Sequence, residues 1–178
     1  MLIVVLTGVL LGDSFGKSIE DRLYRDKIIY SEQTQYQKIV VTQHKDDLRL
    51  YLDGNIQFSS LDEHRYHEAL VHPAMNMAPQ REHILILGGG DGLAARELLK
   101  YDTVKDITIV DLDPGVTELA KENLLIRRLN EDALLNERVE IRNEDAFRYL
   151  ETSESKYDVI IIDLPDPNNE ALNKLYTN

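Results

Sequence analysis

A chain of 178 residues, 43% hydrophobic and 29% charged, can bury one sizeable core and is not disordered along its length. The lack of cysteine excludes disulfides, thiolate metal sites and a cysteine nucleophile. Thirty-two acidic residues against 20 Lys plus Arg leave a formal charge of −12, which repels nucleic-acid phosphates and is compatible with a cationic ligand.

Met1 to Gly12 is apolar and uncharged. A bilayer needs roughly 20 apolar residues in one helix, so this run cannot cross one unaided. It has no basic leader and no clear cleavage site, and is a poor secretory signal. The expectation is the end of a transmembrane helix, with the amphipathic Asp13 to Arg25 leaving the apolar phase; a short membrane-contacting helix and a buried element are the alternatives.

Residues 27–61 read as a small antiparallel β unit. Ile39-Val40-Val41 and Leu48 to Leu52 are β-rich runs, separated by turn formers at His44 to Asp47 and Asp53-Gly54-Asn55. From Asp62 to Met77 the spacing of Tyr66, Leu70 and Ala74 predicts a helix capped by Ser60. The rhythm then changes to alternating strand and helix: strands at His83–Leu87, Ile107–Val110, Val139–Arg142 and Tyr157–Ile162, with helices at about Asp91–Lys100, Pro114–Leu129 and Ala146–Leu150. Strands separated by helices imply crossovers and a parallel sheet. The expected fold is α/β: a Rossmann-like, methyltransferase-type parallel sheet over 62–178, incomplete at its C-terminus, preceded by the β unit and by an apolar to amphipathic segment at 1–26.

Four places carry chemistry. Gly88-Gly89-Gly90-Asp91-Gly92 follows a strand and precedes a helix, so a ligand can lie against bare backbone near free N–H groups. No Lys followed by Ser or Thr closes it, which argues against a P-loop. Asp111 ends the next strand about 20 residues on, the spacing at which an acid accepts from ribose hydroxyls. Asp145, after the third strand, is placed either to meet an adenine amino group or to cap a helix. Finally, Asp163-Leu164-Pro165-Asp166-Pro167 puts two carboxylates three apart beyond a strand, between stiffening prolines. Such a pair suits an amine, one acid holding an ammonium and the other taking a proton. No metal site emerges. The glycine turn and Asp111 identify a nucleoside binder without choosing between a sulfonium nucleoside and a nicotinamide dinucleotide.

Taken in order, Tyr36-Gln37, Asp53 to Gln57, Asp62-Glu63 with Tyr66-His67-Glu68, the glycine turn, Asp111-Leu112-Asp113, Asp145-Ala146 and Asp163 to Pro167 resemble the polyamine aminopropyltransferase (spermidine synthase) family. The resemblance runs from about Tyr30 to Asn178, and the apolar start points to its membrane-associated subgroup. It implies an enzyme with no tightly bound cofactor. That enzyme would move the aminopropyl group of decarboxylated S-adenosylmethionine to putrescine or a related amine and release 5′-methylthioadenosine. Gln37, Gly88, Gly90, Asp111, Asp145 and Ala146 would then hold the nucleoside. Gln57, His67, Asp91 and Asp166 would bind amine groups, Tyr66 would orient the attacking nitrogen, and Asp163 would be the general base. The resemblance also implies a homo-oligomer, no nucleic-acid partner, and a place on the cytoplasmic side of a membrane, touched through residues 1–12, or free in the cytoplasm. Three departures stand out: Asp111 where the family usually has Glu, Asn168-Asn169 after the last proline, and, most seriously, the lack of the family's later strands and their pocket residues. A methyltransferase, a nicotinamide oxidoreductase and a non-catalytic nucleoside- or polyamine-binding module remain alternatives.

Overall fold

The computed structural model describes residues 24–164. Four antiparallel strands come first: β1 (Lys27–Gln33), β2 (Lys38–His44), β3 (Asp47–Leu52) and β4 (Asn55–Ser59), in spatial order β1-β2-β3-β4. The β-branched run Ile39-Val40-Val41 suits the middle of this sheet and is fully buried there. Between β3 and β4, Asp53 and Gly54 both take positive φ, 49° and 78°, the geometry that a two-residue hairpin demands and that Asp-Gly supplies. β1 lies ahead of the strands read from the sequence, because its pattern is mostly exposed and shows little alternation.

Helix α1 (Glu63–Met77) joins the two halves. Its inward row is Glu63, His67, Val71 and Met75, not the Tyr66, Leu70 and Ala74 row that hydropathy suggests. Two polar residues head the buried row, and only their buried partners make that burial tolerable. Nor does Ser60 cap the helix: its hydroxyl accepts from the Leu48 amide at 2.8 Å, and Asp62 stands at the N-cap without a side-chain capping bond.

The second sheet is parallel, built from β5 (His83–Gly88), β6 (Asp106–Val110), β7 (Val139–Arg142) and β8 (Val159–Asp163) in spatial order β7-β6-β5-β8. Helix α2 (Leu93–Leu99) connects β5 to β6. The single helix expected over 114–129 is two, α3 (Pro114–Glu122) and α4 (Leu124–Leu129). Asn123 breaks it by adopting extended backbone and capping α4, its side chain accepting from Leu125 and Ile126. A 3₁₀ turn (Ala133–Leu135) precedes β7, and α5 (Ala146–Thr152) leads to β8. One apolar core runs from Ile39 and Leu50 of the antiparallel sheet through Val71 and Met75 to Ile84, Ile86, Ile107 and Ile109, so both sheets share it. A smaller cluster of Leu85, Leu87, Val110 and Tyr149 covers the other face.

The sheet order positions the site. β5 leads outward to β6 and β7 on one side, while β8 returns to its other side. Ligands in open α/β sheets collect beyond the carboxyl ends of strands at such a reversal.

The expectation of a membrane-associated subgroup, with membrane anchoring and contact, is corrected. Among the described residues no helix is long and apolar enough to cross a membrane. The longest, α1, has 15 residues and carries charged and histidine side chains, against the roughly 20 apolar residues a span requires. Residues 1–12, on which the membrane contact was read, lie outside the described residues.

Candidate active site

The glycines that end and follow β5 are there because neighbouring backbone and acids leave no room. Gly88 has φ +82°, and a Cβ on it would sit 2.0 Å from the carbonyl oxygen of Asp163 on β8. A Cβ on Gly90 would lie 2.6 Å from Asp111 Oδ2. The Gly90 amide instead donates to that oxygen at 2.9 Å, while the Asp113 amide donates to Asp111 Oδ1 at 3.0 Å. Asp111 thus ties the glycine turn to the end of β6. A carboxylate has about four lone-pair sites, so two remain for ligand hydroxyls.

Gln37 reaches this corner from the first sheet. Its amide donates to Asp113 Oδ2 at 3.0 Å, and Thr34 donates to the same oxygen at 2.8 Å. Asp113 is buried and caps α3 through the Gly115 amide. Gly115 permits the approach, since a Cβ there would meet Thr34 at 2.6 Å. Neither Thr34 nor Asp113 has a role in the sequence reading; the Asp113-Pro114-Gly115 start of a helix was the available signal.

On the amine side, the Tyr66 hydroxyl donates to Asp163 Oδ1 at 2.8 Å, joining α1 to the end of β8. Tyr66 is 52% exposed. His67, next along the helix, is buried; its ring packs edge-on to Tyr66, and the charges of Asp91 and Asp163 act on it. Asp91 Oδ1 accepts from the Leu93 amide at 2.9 Å at the start of α2, and Asn130 holds the Asp91 carbonyl at 2.9 Å.

Crowding of acids in a partly dry crevice raises their proton affinity. Burial, with the charges of Asp163 and Asp111, pushes Asp91 up to about 6 against the pull of His67. Burial, with Asp113 and Asp163, also takes Asp111 to about 6. Asp163 is raised by burial, although the Tyr66 hydrogen bond and the His67 charge pull it back. Burial disfavours the charged His67 ring, yet its hydrogen bond to Glu63 and the nearby Asp91 and Asp163 raise its pKa. Carboxylates with raised pKa values beside a titrating ring make a site that takes up cations and moves protons near neutral pH.

The remaining sequence-predicted residues fall as follows. Gly88, Gly90, Asp91, Asp111, Asp163, Tyr66 and His67 gather around the β5–β8 and β5–β6 strand ends. Asp145 is exposed and caps α5, accepting from the Arg148 amide at 3.0 Å, with Ala146 the first residue of that helix. Gln57 donates to the Asn55 carbonyl on its own strand at 3.1 Å, and no hydrogen bond among the described residues links it to the crevice. Asp166 lies outside the described residues. Glu68, His72 and Glu97 offer ligand atoms within 4.8 Å of one another, the one such metal-type group among the described residues. However, Lys100 reaches both Glu97 oxygens at 2.7 Å and Arg96 Nε donates to Oε1 at 3.0 Å, so that charge is already neutralised and the group is an ion-pair network.

Residues 63–178 match the model of the spermine/spermidine synthase domain family. The chain is 57% identical to a polyamine aminopropyltransferase of Oceanobacillus iheyensis, over 98% of this chain and 34% of the relative. It is 51% identical to that of Leptospira interrogans, over 98% of this chain and 36% of the relative. A crystal structure of spermidine synthase in complex with the transition-state analogue AdoDATO superposes with a TM-score of 0.78 at 34% identity, over 85% of this chain and 51% of that one. The chain therefore spans about a third of the length of the curated relatives it matches. With fold, strand-end acids and sequence in agreement, the chain belongs to the spermine/spermidine synthase family.

Proposed function

We propose that this chain carries the nucleoside and amine sites of an aminopropyltransferase. The reaction moves the aminopropyl group of decarboxylated S-adenosylmethionine to putrescine or a related amine. The names of the relatives support this reading, as does the complex of the similar spermidine synthase with a transition-state analogue. The observation that carries it is the Tyr66–Asp163 contact of 2.8 Å at the switch point, with His67 and Asp91 acting on the same acid.

The chemistry follows from those groups. The amine lone pair attacks the methylene beside sulfur, the C–S bond breaks with its electrons going to sulfur, and 5′-methylthioadenosine leaves. The surplus proton of the new ammonium passes to Asp163. Sulfonium is already a good leaving group, so orientation and a deprotonated nitrogen are what the protein supplies. In this reading Tyr66 orients the nitrogen, while His67, Asp91, Gln57 and Asp166 bind amine groups. Gln37, the bare backbone at Gly88 and Gly90, Asp111, Asp145 and Ala146 hold the nucleoside. We propose the catalytic domain as residues 62–178, with the β unit at 27–61 supplying Gln37.

The test measures 5′-methylthioadenosine release from decarboxylated S-adenosylmethionine and putrescine, alongside calorimetry against that nucleoside, its carboxylated parent and NAD. Asp163→Asn should lower turnover by about 10²–10⁴-fold, the usual contribution of a general base, with nucleoside affinity unchanged. Binding of NAD alone would sink the proposal. Nucleoside binding without turnover by the unsubstituted chain would make it a binding piece and not a working transferase.

A further inference from the structure

Beneath the crevice lies a charge network that the reaction scheme does not use. The Arg96 guanidinium grips Glu63 with two bonds, Nη1 to Oε1 at 2.8 Å and Nη2 to Oε2 at 3.0 Å. Its other contacts are the Leu129 carbonyl at 2.7 Å and Glu97 Oε1 at 3.0 Å. The Glu63, His67 and Arg96 side chains are all less than one-tenth exposed. His67 Nδ1 in turn lies 2.8 Å from the Glu63 carbonyl oxygen and 2.9 Å from Glu63 Oε2.

Both neighbours of Nδ1 are oxygens that only accept, so Nδ1 must carry a hydrogen in every charge state of the ring. A buried lone pair aimed at two such oxygens would be repelled by both. We infer that Glu63, gripped by Arg96, positions His67: its carboxylate and its carbonyl lock the proton on Nδ1, so that Nε2 alone is left to face the amine side of the crevice and to gain or lose a proton as the charge there changes.

The groups facing His67 are Glu63 and Tyr66 on its own helix, Asp91 from the turn after β5 and Asp163 from the end of β8. Arg96 and Glu97 on α2 act through Glu63. In the empty crevice, Asp91 and Asp163 favour the imidazolium. An entering ammonium competes for those acids and favours the neutral ring, whose Nε2 lone pair then accepts from the amine. Glu63 does not titrate in this range. Burial alone would raise it, but the bonds from His67 and Arg96 hold it at about 2. This amine role rests on the function proposed above, whereas the locked tautomer does not.

Nitrogen-15 NMR of the whole chain with labelled histidine reads both. His67 should show Nδ1–H at every pH with only Nε2 titrating, and putrescine should shift that titration to lower pH. Glu63→Gln alone leaves the buried guanidinium with Glu97 as its carboxylate partner and risks misfolding; the paired Glu63→Gln, Arg96→Met change removes both charges at similar volume and leaves Lys100 on Glu97. In that double variant, shown folded by circular dichroism, the His67 titration should move to lower pH, while the Glu63 carbonyl still holds a hydrogen on Nδ1. A neutral His67 protonated on Nε2 in the unsubstituted chain would overturn the inference, as would an unmoved titration in the folded double variant. A locked Nδ1–H whose Nε2 ignores putrescine would keep the positioning and overturn the amine site.

Discussion

Gly88→Ala separates two reasons for a glycine, because Gly54 supplies the control. Both have positive φ, +82° and +78°, but a Cβ at Gly54 meets nothing within 4 Å, whereas at Gly88 it would lie 2.0 Å from the Asp163 carbonyl oxygen. The left-handed backbone costs an L-residue about 1–2 kcal/mol. Forcing an extra methyl into packed structure adds about 1–3 kcal/mol. Gly54→Ala should therefore cost about 1–2 kcal/mol and Gly88→Ala about 2–5 kcal/mol. At about 2–4 °C per kcal/mol for a chain of this size, the first lowers Tm by roughly 2–8 °C and the second by roughly 4–20 °C. Gly88 pairs in register with Asp163, so relief requires β5 and β8 to part at the site itself. Gly88→Ala should then also loosen the Tyr66–Asp163 bond and lower turnover more than nucleoside affinity. Thermal and urea unfolding by circular dichroism measure the first effect. Equal destabilisation by the two substitutions would refute the steric argument.

Two further outcomes follow from the acids. Asp91 and Asp111 sit at about 6 in the fold against an ordinary 3.8, so between roughly pH 4 and 6 the folded chain binds more protons than the unfolded one. Their ionisation is a penalty that grows as pH rises through that window, and the stabilisation from His67, whose pKa is raised, is lost at higher pH still. Glu63, held at about 2, keeps its contribution above about pH 4.5. The unliganded chain should thus melt higher at pH 5.5 than at pH 8, and putrescine should raise Tm more at pH 8; a melting point that rises with pH would contradict this. Tyr66→Phe removes a donor that lowers the pKa of Asp163, so the acid limb of the pH–rate profile should move to higher pH, and an unmoved limb would detach Tyr66 from that acid.

The parallel sheet was legible because its strands are short and rich in β-branched residues, and β5 is fully buried over Ile84 to Gly88. The helices were legible in position but not in orientation. On α1 the hydropathy pattern chose the row of Tyr66, because it counts Glu63 and His67 as solvent-facing. Arg96, 33 residues away in sequence, is what turns that row inward. Asn123 hid its break for a similar reason: an amide in a helical pattern reads as surface, and only its extended backbone reveals the cap. β1 stayed indistinct because an edge strand with one partner needs little apolar patterning.

At the site, spacing sufficed wherever the fold delivers a residue through a strand end. Asp91 and Asp111 each follow a parallel strand and Asp163 ends one, and parallel strands bring their carboxyl ends to one edge whatever their separation in sequence. Residues delivered by other routes were harder to place. Gln37 comes across from the antiparallel sheet and binds Asp113, two residues past the expected ribose acid, because Gly115 lets the β1–β2 turn approach that closely. Glu63 lies four residues before His67 on α1, a spacing visible in the sequence, yet the direction of its side chain depends on a guanidinium from another helix. Strand-end acids are fixed by topology, while the groups that set their protonation are fixed by packing. The grip of Arg96 on Glu63 is therefore a part of this site that the structure adds to the sequence.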